Sequence, residues 1–472
     1  MRQLRWLVLF PVFVLGVVLV AGCGNDDEED INGAGPRPGD PEQSLTATPA
    51  DDDGNGDAVT ANGIDAGDFP QLGDYTGASH TVADPAFEAI PGATAHYGTL
   101  GDAGYRIEMP DDWNGDLVLY AHGFRGFEST LTVDSPRGPL REELIERGYA
   151  WAASSFSENG YVPGIGADDT LALLGYFEDE FEAAGQTYLV GTSMGGNVVS
   201  LSLEHFDGVY DGGLSLCGAV GGQTQIDYLV SWVRLAEYFA EVELPLGEGA
   251  SVGELTGVLL NDMAEALGTP SNPTADGEAF ISAVRELTGG ARPFFVEGMN
   301  EQYVANFGLL LADPQLQTVL ARAATNADVE YEIEPGLGYD ADEINEGIIR
   351  QEADPDARDA EENPSRVPTD GTLDAPLLAL HTTGDLFVPI TQASDYAEAA
   401  DEAGHDDRFV ARAIRASGHC SFSDAEIMTA FDDLVAWVED GEEPAGDDLS
   451  GDLMDVGHDF TDPERDGDPG TP

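Results

Sequence analysis

Residues 186–203, QTYLVGTSMGGNVVSLSL, limit what this chain can fold into more than any other stretch. Positions 187–190 are a short apolar run with Tyr, Leu and Val, the composition of a strand buried on both faces of a parallel sheet. A glycine-framed corner follows at once. Past Gly195 and Gly196 the apolar residues Val198, Val199, Leu201 and Leu203 return within a run long enough for a helix. The stretch therefore reads as strand, sharp turn and helix, with Ser193 at the apex of Gly191-Thr192-Ser193-Met194-Gly195. Glycines on both sides permit a turn tight enough to push the serine hydroxyl clear of the sheet, the geometry a nucleophile elbow needs. A five-residue pattern arises easily in 472 residues with 58 glycines, so its chemical weight depends on partners elsewhere.

Ahead of it, 93–100 and 104–109 alternate polar and apolar residues as an antiparallel pair does. The next buried strand, DLVLYA at 116–121, runs straight into His122-Gly123-Phe124-Arg125-Gly126. A short helix at 142–147 stopped by Gly148, a strand at 149–154 and a helix at 171–181 complete the approach to the elbow. This alternation predicts a mainly parallel central sheet with helices on both faces, and puts the elbow at a strand's C-terminal end, where open α/β sheets bind ligands. After a sixth strand at 213–217 the alternation stops, and 223–370 carries helix-like blocks at 226–242, 252–267, 278–287 and 315–324. Within it Phe294, Phe295, Tyr303 and Phe307 can line an acyl pocket or pack the block's interior; packing is the reading adopted. The sheet resumes at 376–381, leads into Thr382-Thr383-Gly384-Asp385-Leu386-Phe387-Val388-Pro389, and closes with a strand at 409–414 before Ala416-Ser417-Gly418-His419-Cys420. Of the eight histidines, His419 alone follows the last strand on a glycine-containing loop.

The elbow at Ser193, the His-Gly pair ending a strand at 122–123, and the Gly-Asp loop at Asp385 followed by His419 resemble, in type and chain order, the α/β-hydrolase family over about residues 93–440. The resemblance implies an α/β-hydrolase fold with a helical cap inserted after the sixth strand. It implies a catalytic triad of Ser193, Asp385 and His419, and an oxyanion hole from the backbone N–H groups of Phe124 and Met194, with His122 orienting its loop. No metal or organic cofactor is required. The activity to expect is hydrolysis of a small-molecule or polymeric carboxylic ester through an acyl-enzyme. A serine peptidase of the same family is the second reading, and a non-catalytic surface binding protein with this fold the third.

Charge narrows the partners. Ninety acidic residues stand against 19 basic ones, all of them arginine, for a net charge of −71. Nucleic acid, which needs basic clusters, is not an expected partner, and the surface reads as one kept soluble in strong brine. Residues 1–22 read as an export signal, with Arg2 and Arg5 ahead of an apolar run at 6–20, and Val20-Ala21-Gly22-Cys23 resembles the bacterial lipobox, in which the cysteine is lipidated. Lipidation of Cys23 implies an exported protein anchored to the bacterial envelope; Gly24 after it favours the outer membrane or cell surface. Residues 23–73 read as an acidic disordered tether, in which Asp51, Asp53, Asn55 and Gly56 start a calcium-loop pattern that Asn62 does not complete. The hydrolase core is then expected at 74–222 and 371–440, the cap at 223–370 and an acidic disordered tail at 441–472. Export to an oxidising compartment, with the family placing the sixth strand's end near the histidine loop, leads to the expectation of a Cys217–Cys420 disulfide.

Overall fold

A computed structural model describes residues 64–73, 80–126, 128–246, 251–312, 314–358 and 367–465. Cys23, the export signal and the partial calcium-loop pattern lie outside them.

Eight strands form the central sheet: β1 (Ala93–Leu100), β2 (Ala103–Pro110), β3 (Leu117–Ala121), β4 (Ala150–Ser154), β5 (Thr187–Thr192), β6 (Gly212–Leu216), β7 (Leu377–Thr382) and β8 (Phe409–Ile414). Their spatial order is β8-β7-β6-β5-β3-β4-β2-β1, and only β2 runs antiparallel to its neighbours. Composition explains the difference between centre and edge. Every residue of β3, β4, β5 and β6 is buried, as uninterrupted apolar runs should be beneath helices on both faces, whereas edge strand β1 alternates half-buried and exposed positions. Helices α1 (Leu140–Glu146), α2 (Pro163–Glu180) and α3 (Met194–His205) connect the first strands, α12 (Thr391–Ala403) connects β7 to β8, and α13 (Asp424–Asp440) follows β8.

Between β6 and β7 the chain builds the cap from α4 (Gln223–Ala240), α5 (Val252–Gly257), a π-wound turn (Val258–Met263), α6 (Ala264–Leu267), α7 (Ala275–Leu287), α8 (Phe295–Ala312), α9 (Pro314–Arg322), α10 (Ala341–Gly347) and α11 (Pro355–Arg358). Its interior is aromatic: Trp232 meets Phe280 edge-on at 5.3 Å between ring centres, and Tyr303 meets Phe307 at 5.4 Å. Phe295, Tyr303 and Phe307 are buried in this core, which is continuous with the apolar face of the sheet.

Two expectations need correction. The tether ends earlier than residue 73. The N–H groups of Leu72 and Gly73 donate to Asp168 on α2, that of Ile64 donates to Glu178, and Phe69 packs on Phe206. The tail is not loose over 441–465: it runs along edge strand β8, where Asp447 accepts the Ala413 N–H at 2.8 Å, Arg412 donates to the Ala445 carbonyl, and Arg465 pairs with Glu426. Covering an edge in this way satisfies its open hydrogen-bonding groups. α8 belongs to the helical block expected at 223–370 but is not among the blocks singled out there: Gly298 and Gly308 interrupt a segment whose apolar residues face more than one side.

Candidate active site

The register of the parallel strands decides what meets at the sheet's C-terminal edge. Ala121 of β3 lies opposite Gly191 of β5, so the His122–Phe124 loop leaves the sheet beside the elbow. Thr192 lies opposite Leu216 of β6, which brings Cys217 to the same edge. Ser193 takes φ 58° and ψ −120°, a backbone conformation that side-chain-bearing residues seldom adopt. It is held there by its own N–H donating to the Leu216 carbonyl at 2.9 Å and by the Gly196 N–H donating back to the Ser193 carbonyl at 2.8 Å. The flanking glycines are required by close approach rather than by flexibility. A Cβ on Gly191 would lie 2.0 Å from the Gly195 carbonyl oxygen, and one on Gly195 2.1 Å from that of Ala121.

Ser193 is half-buried, and its Oγ lies 2.9 Å from His419 Nε2. His419 Nδ1 lies 2.6 Å from Asp385 Oδ2. The Asp385 carboxylate is fully buried, and its other oxygen accepts the N–H groups of Phe387 at 2.9 Å and Val388 at 3.2 Å. These bonds aim one carboxylate oxygen at the imidazole. The loop bearing His419 is fixed from the sheet, because Thr382 Oγ1 donates to the Gly418 carbonyl at 2.8 Å. A disulfide between Cys217 and Cys420 ties the end of β6 to the residue after the histidine.

Met194 opens α3, so its N–H has no intrahelical acceptor. Phe124, partly buried, follows Gly123, where a Cβ would come 3.1 Å from that of Ser193; both N–H groups thus belong to segments that border the hydroxyl. His122 is buried, stacks on Phe156 at 4.0 Å, and has its ring nitrogens 2.7 Å from the Gly123 carbonyl and 3.1 Å from that of Ser155. It joins the oxyanion-side loop to β4. Burial, with the nearby Arg125 charge adding to it, pushes its imidazole down to about 4. Cys217, His419 and Cys420 cluster closely enough to suggest a metal site, but both sulfurs are consumed by the disulfide.

Several groups around Asp385 carry no sequence signal. The acid loop is gripped from the cap: Tyr228 Oη and Asn306 Nδ2 each donate to the Leu386 carbonyl at 2.7 Å, Gln225 Nε2 donates to that of Phe387 at 2.7 Å, and Arg292 Nε donates to that of Thr383 at 2.6 Å. Buried His381, whose Nε2 lies 2.8 Å from the Val388 carbonyl, braces the loop from β7. Only proximity in the folded chain could identify these residues.

No family model matches the chain. It is similar to an o-phthalyl amidase of Xanthobacter agilis, 22% identical over 416 residues that cover 75% of this chain and 89% of that protein. Among solved structures it is similar to feruloyl esterase B from Aspergillus oryzae, 13% identical with a TM-score of 0.44 over 73% of this chain and 80% of that one. It is also similar to an esterase of Pyrococcus furiosus, 12% identical with a TM-score of 0.35 over 74% and 89%. Eight strands in this order with β2 alone reversed, a strand–Ser193–helix elbow on β5, and loops after β7 and β8 that meet it are the arrangement of the α/β-hydrolase fold.

Proposed function

We propose that the protein is a serine hydrolase that cleaves carboxylic esters through an acyl-enzyme at Ser193. The observation that carries this reading is the unbroken hydrogen-bonded chain from Ser193 through His419 to a buried Asp385. In this mechanism His419 Nε2 takes the hydroxyl proton as Ser193 Oγ bonds to the acyl carbon. Asp385 holds the imidazole with Nδ1 protonated and stabilises the imidazolium that forms. The negative charge that develops on the carbonyl oxygen is met by the N–H groups of Met194 and Phe124, each worth about 3 kcal/mol in comparable sites. His419 then returns the proton to the leaving alcohol, and water, activated by the same imidazole, releases the acid. The substrate is a small-molecule or polymeric ester.

A second reading, hydrolysis of amides by the same steps, is favoured by the likeness to a protein named as an amidase. A fluorophosphonate probe followed by turnover of p-nitrophenyl esters and of anilides in high salt separates the possibilities. Labelling of Ser193 with ester turnover supports the first reading. Anilide turnover without ester turnover moves the assignment to amides, and an unlabelled Ser193 removes both and leaves a binding protein. The placement proposed for the enzyme is outside the cytoplasm, lipid-anchored through Cys23, on the strength of the signal-like residues 1–23.

A further inference from the structure

The acid and base of the site sit on two separate loops, and neither β7 nor β8 by itself sets the gap between them. Backbone bonds join the loop roots, with the Thr383 N–H donating to the Ile414 carbonyl at 2.8 Å and the Gly384 N–H to that of Ala416 at 2.8 Å. Beyond that point Thr382 Oγ1 reaches the Gly418 carbonyl and His419 reaches Asp385, and the cap adds a further span. Among the described residues of the cap one side chain bonds to both. Gln302, on α8 and 3% exposed, donates through Nε2 to the Gly384 carbonyl at 3.0 Å and to the Ser417 carbonyl at 2.8 Å. Its Oε1 accepts the N–H groups of Leu386 at 2.9 Å and Phe387 at 3.1 Å. Two carbonyls at one end and two N–H groups at the other leave no ambiguity about which end is nitrogen. Three of the four partners flank Asp385, and the fourth, Ser417, stands two residues before His419.

One turn earlier on the same face of α8 is Gly298. A Cβ there would lie 1.8 Å from the Gly384 oxygen and 3.0 Å from that of Ser417, so the helix rests on both loops with nothing between the backbones. The other cap groups do less. Tyr228, Gln225, Asn306 and Arg292 reach the acid loop only, and Glu301 reaches the base loop only, through Ser417 Oγ at 2.9 Å.

We propose that Gln302 is the positioning residue that sets the separation of the acid and base loops, so that His419 is aligned between Asp385 and Ser193 only while α8 is seated on the sheet. The bonds of Gln302 all go to loop backbone and none to the side chains of Ser193, Asp385 or His419. Its removal leaves the Leu386 N–H and the Gly384 and Ser417 carbonyls without this partner in a buried place, while the Phe387 N–H keeps only Asp385, and it releases the cap's bridge between the loops. A displacement of the imidazole by about 1 Å costs on the order of 100-fold in turnover. The cap would thereby be part of the catalytic assembly and not only a cover over it.

The proposal rests on the serine-hydrolase reading, and the test separates the two. Wild-type protein is labelled with a fluorophosphonate and assayed for ester and anilide turnover; the substrate that turns over is then used for Gln302→Met, Gln302→Glu and Asn300→Ala, each checked for folding by circular dichroism at the assay temperature. Gln302→Met keeps length and loses all four bonds; its kcat should fall about 10- to 100-fold with KM nearly constant. Gln302→Glu tests the same bridge should the methionine variant not fold. The titratable and charged groups bonded to the same two loops are Asp385 and His381 on the β7 side, His419 on the base loop, Tyr228 on α4, Arg292 before α8 and Glu301 on α8 itself. Only the protonated form of the introduced carboxyl can donate to Gly384 or Ser417, so the variant's kcat relative to wild type should rise as pH is lowered. Asn300, on the outer face of α8 with its amide bonded to the Val296 carbonyl at 2.8 Å, should tolerate alanine with no change in rate. Folded Gln302 variants with kcat within about twofold of wild type at every pH, or with the loss confined to KM, overturn the proposal alone. An unlabelled wild-type protein overturns the hydrolase reading and this proposal with it.

Discussion

Ser193 shows how a single residue can carry backbone strain that the surrounding fold must hold. Its φ of 58° with ψ −120° costs on the order of 1–3 kcal/mol, and the conformation persists because β6 and the first turn of α3 bond its backbone on both sides. His122 makes a different demand, on solvation. Burial holds its imidazole near 4 and lowers that of His381 as well. In the unfolded chain a histidine titrates near 6.5, so between about pH 4 and 6.5 the unfolded state binds a proton that folded His122 does not, and stability must fall as pH drops through that window. Glu204 opposes this trend. Burial raises it to about 7 despite bonds from Tyr396, Gly371 and Asp370, so its contribution is full below about 4.5 and is lost as pH rises to 7. The two slopes overlap, and only a variant separates them. His122→Gln should flatten the acid side of the stability curve by up to roughly 1.4 kcal/mol per pH unit, read as urea midpoints between pH 4 and 6.5.

Among the elements, α8 sets local propensity against tertiary fit most sharply. Glycine in a helix interior is worse than alanine by roughly 1 kcal/mol, so on propensity alone Gly298→Ala should stabilise the protein. Against that stands a methyl group placed 1.8 Å from the Gly384 oxygen, which α8 or the acid loop must move to admit. Overpacking of this kind costs about 1–3 kcal/mol, and both neighbours are backbone, which yields poorly. The steric term should win. Gly298→Ala should lower the urea midpoint, whereas Gly308→Ala, where a Cβ meets nothing within 4 Å, should not lower it. The contrast also explains why the sequence conceals this helix. Gly298 contradicts helical propensity in order to bring α8 onto the two loops, and a local pattern cannot contain the reason.

At the scale of the whole molecule, charge dominates. The net charge of −71 is a standing repulsion, relieved locally where arginines meet carboxylates, as Arg141 does with buried Glu108 at 2.8 Å and Arg358 with Asp227 at 3.0 Å. With 90 acidic groups and 19 basic ones most carboxylates have no such partner, and their repulsion is a matter for dissolved ions. Thermal unfolding followed by circular dichroism should therefore give a Tm that rises steadily from dilute buffer to salt on the order of 1 M. A Tm that is flat or falls over that range would mean that the acidic surface is neutral to stability.

The elements that obey their own local chemistry were legible from the sequence: the buried apolar strands, the glycine-framed corner at Ser193, the acid loop at Asp385 and the glycine loop at His419 each announce themselves within a few residues. The two ends of the folded region were misjudged. Residues 64–73 and 441–465 are polar and acidic, yet they are held by single long-range bonds, such as Asp168 to Gly73 and Asp447 to Ala413, that composition does not encode. The cap was legible as a helical block, but its bearing on the site was not. Which helix rests on which loop, and that Gln302 bonds to Gly384 and to Ser417, 82 and 115 residues away along the chain, depends on where packing brings distant backbones together. Sequence alone pointed to the fold class, because short-range periodicity and turn chemistry specify strands and corners, and to the three side chains through their resemblance in type and order to the α/β-hydrolase family. Tertiary structure decided what holds those side chains in line, because hydrogen bonds between remote segments follow from the assembled core.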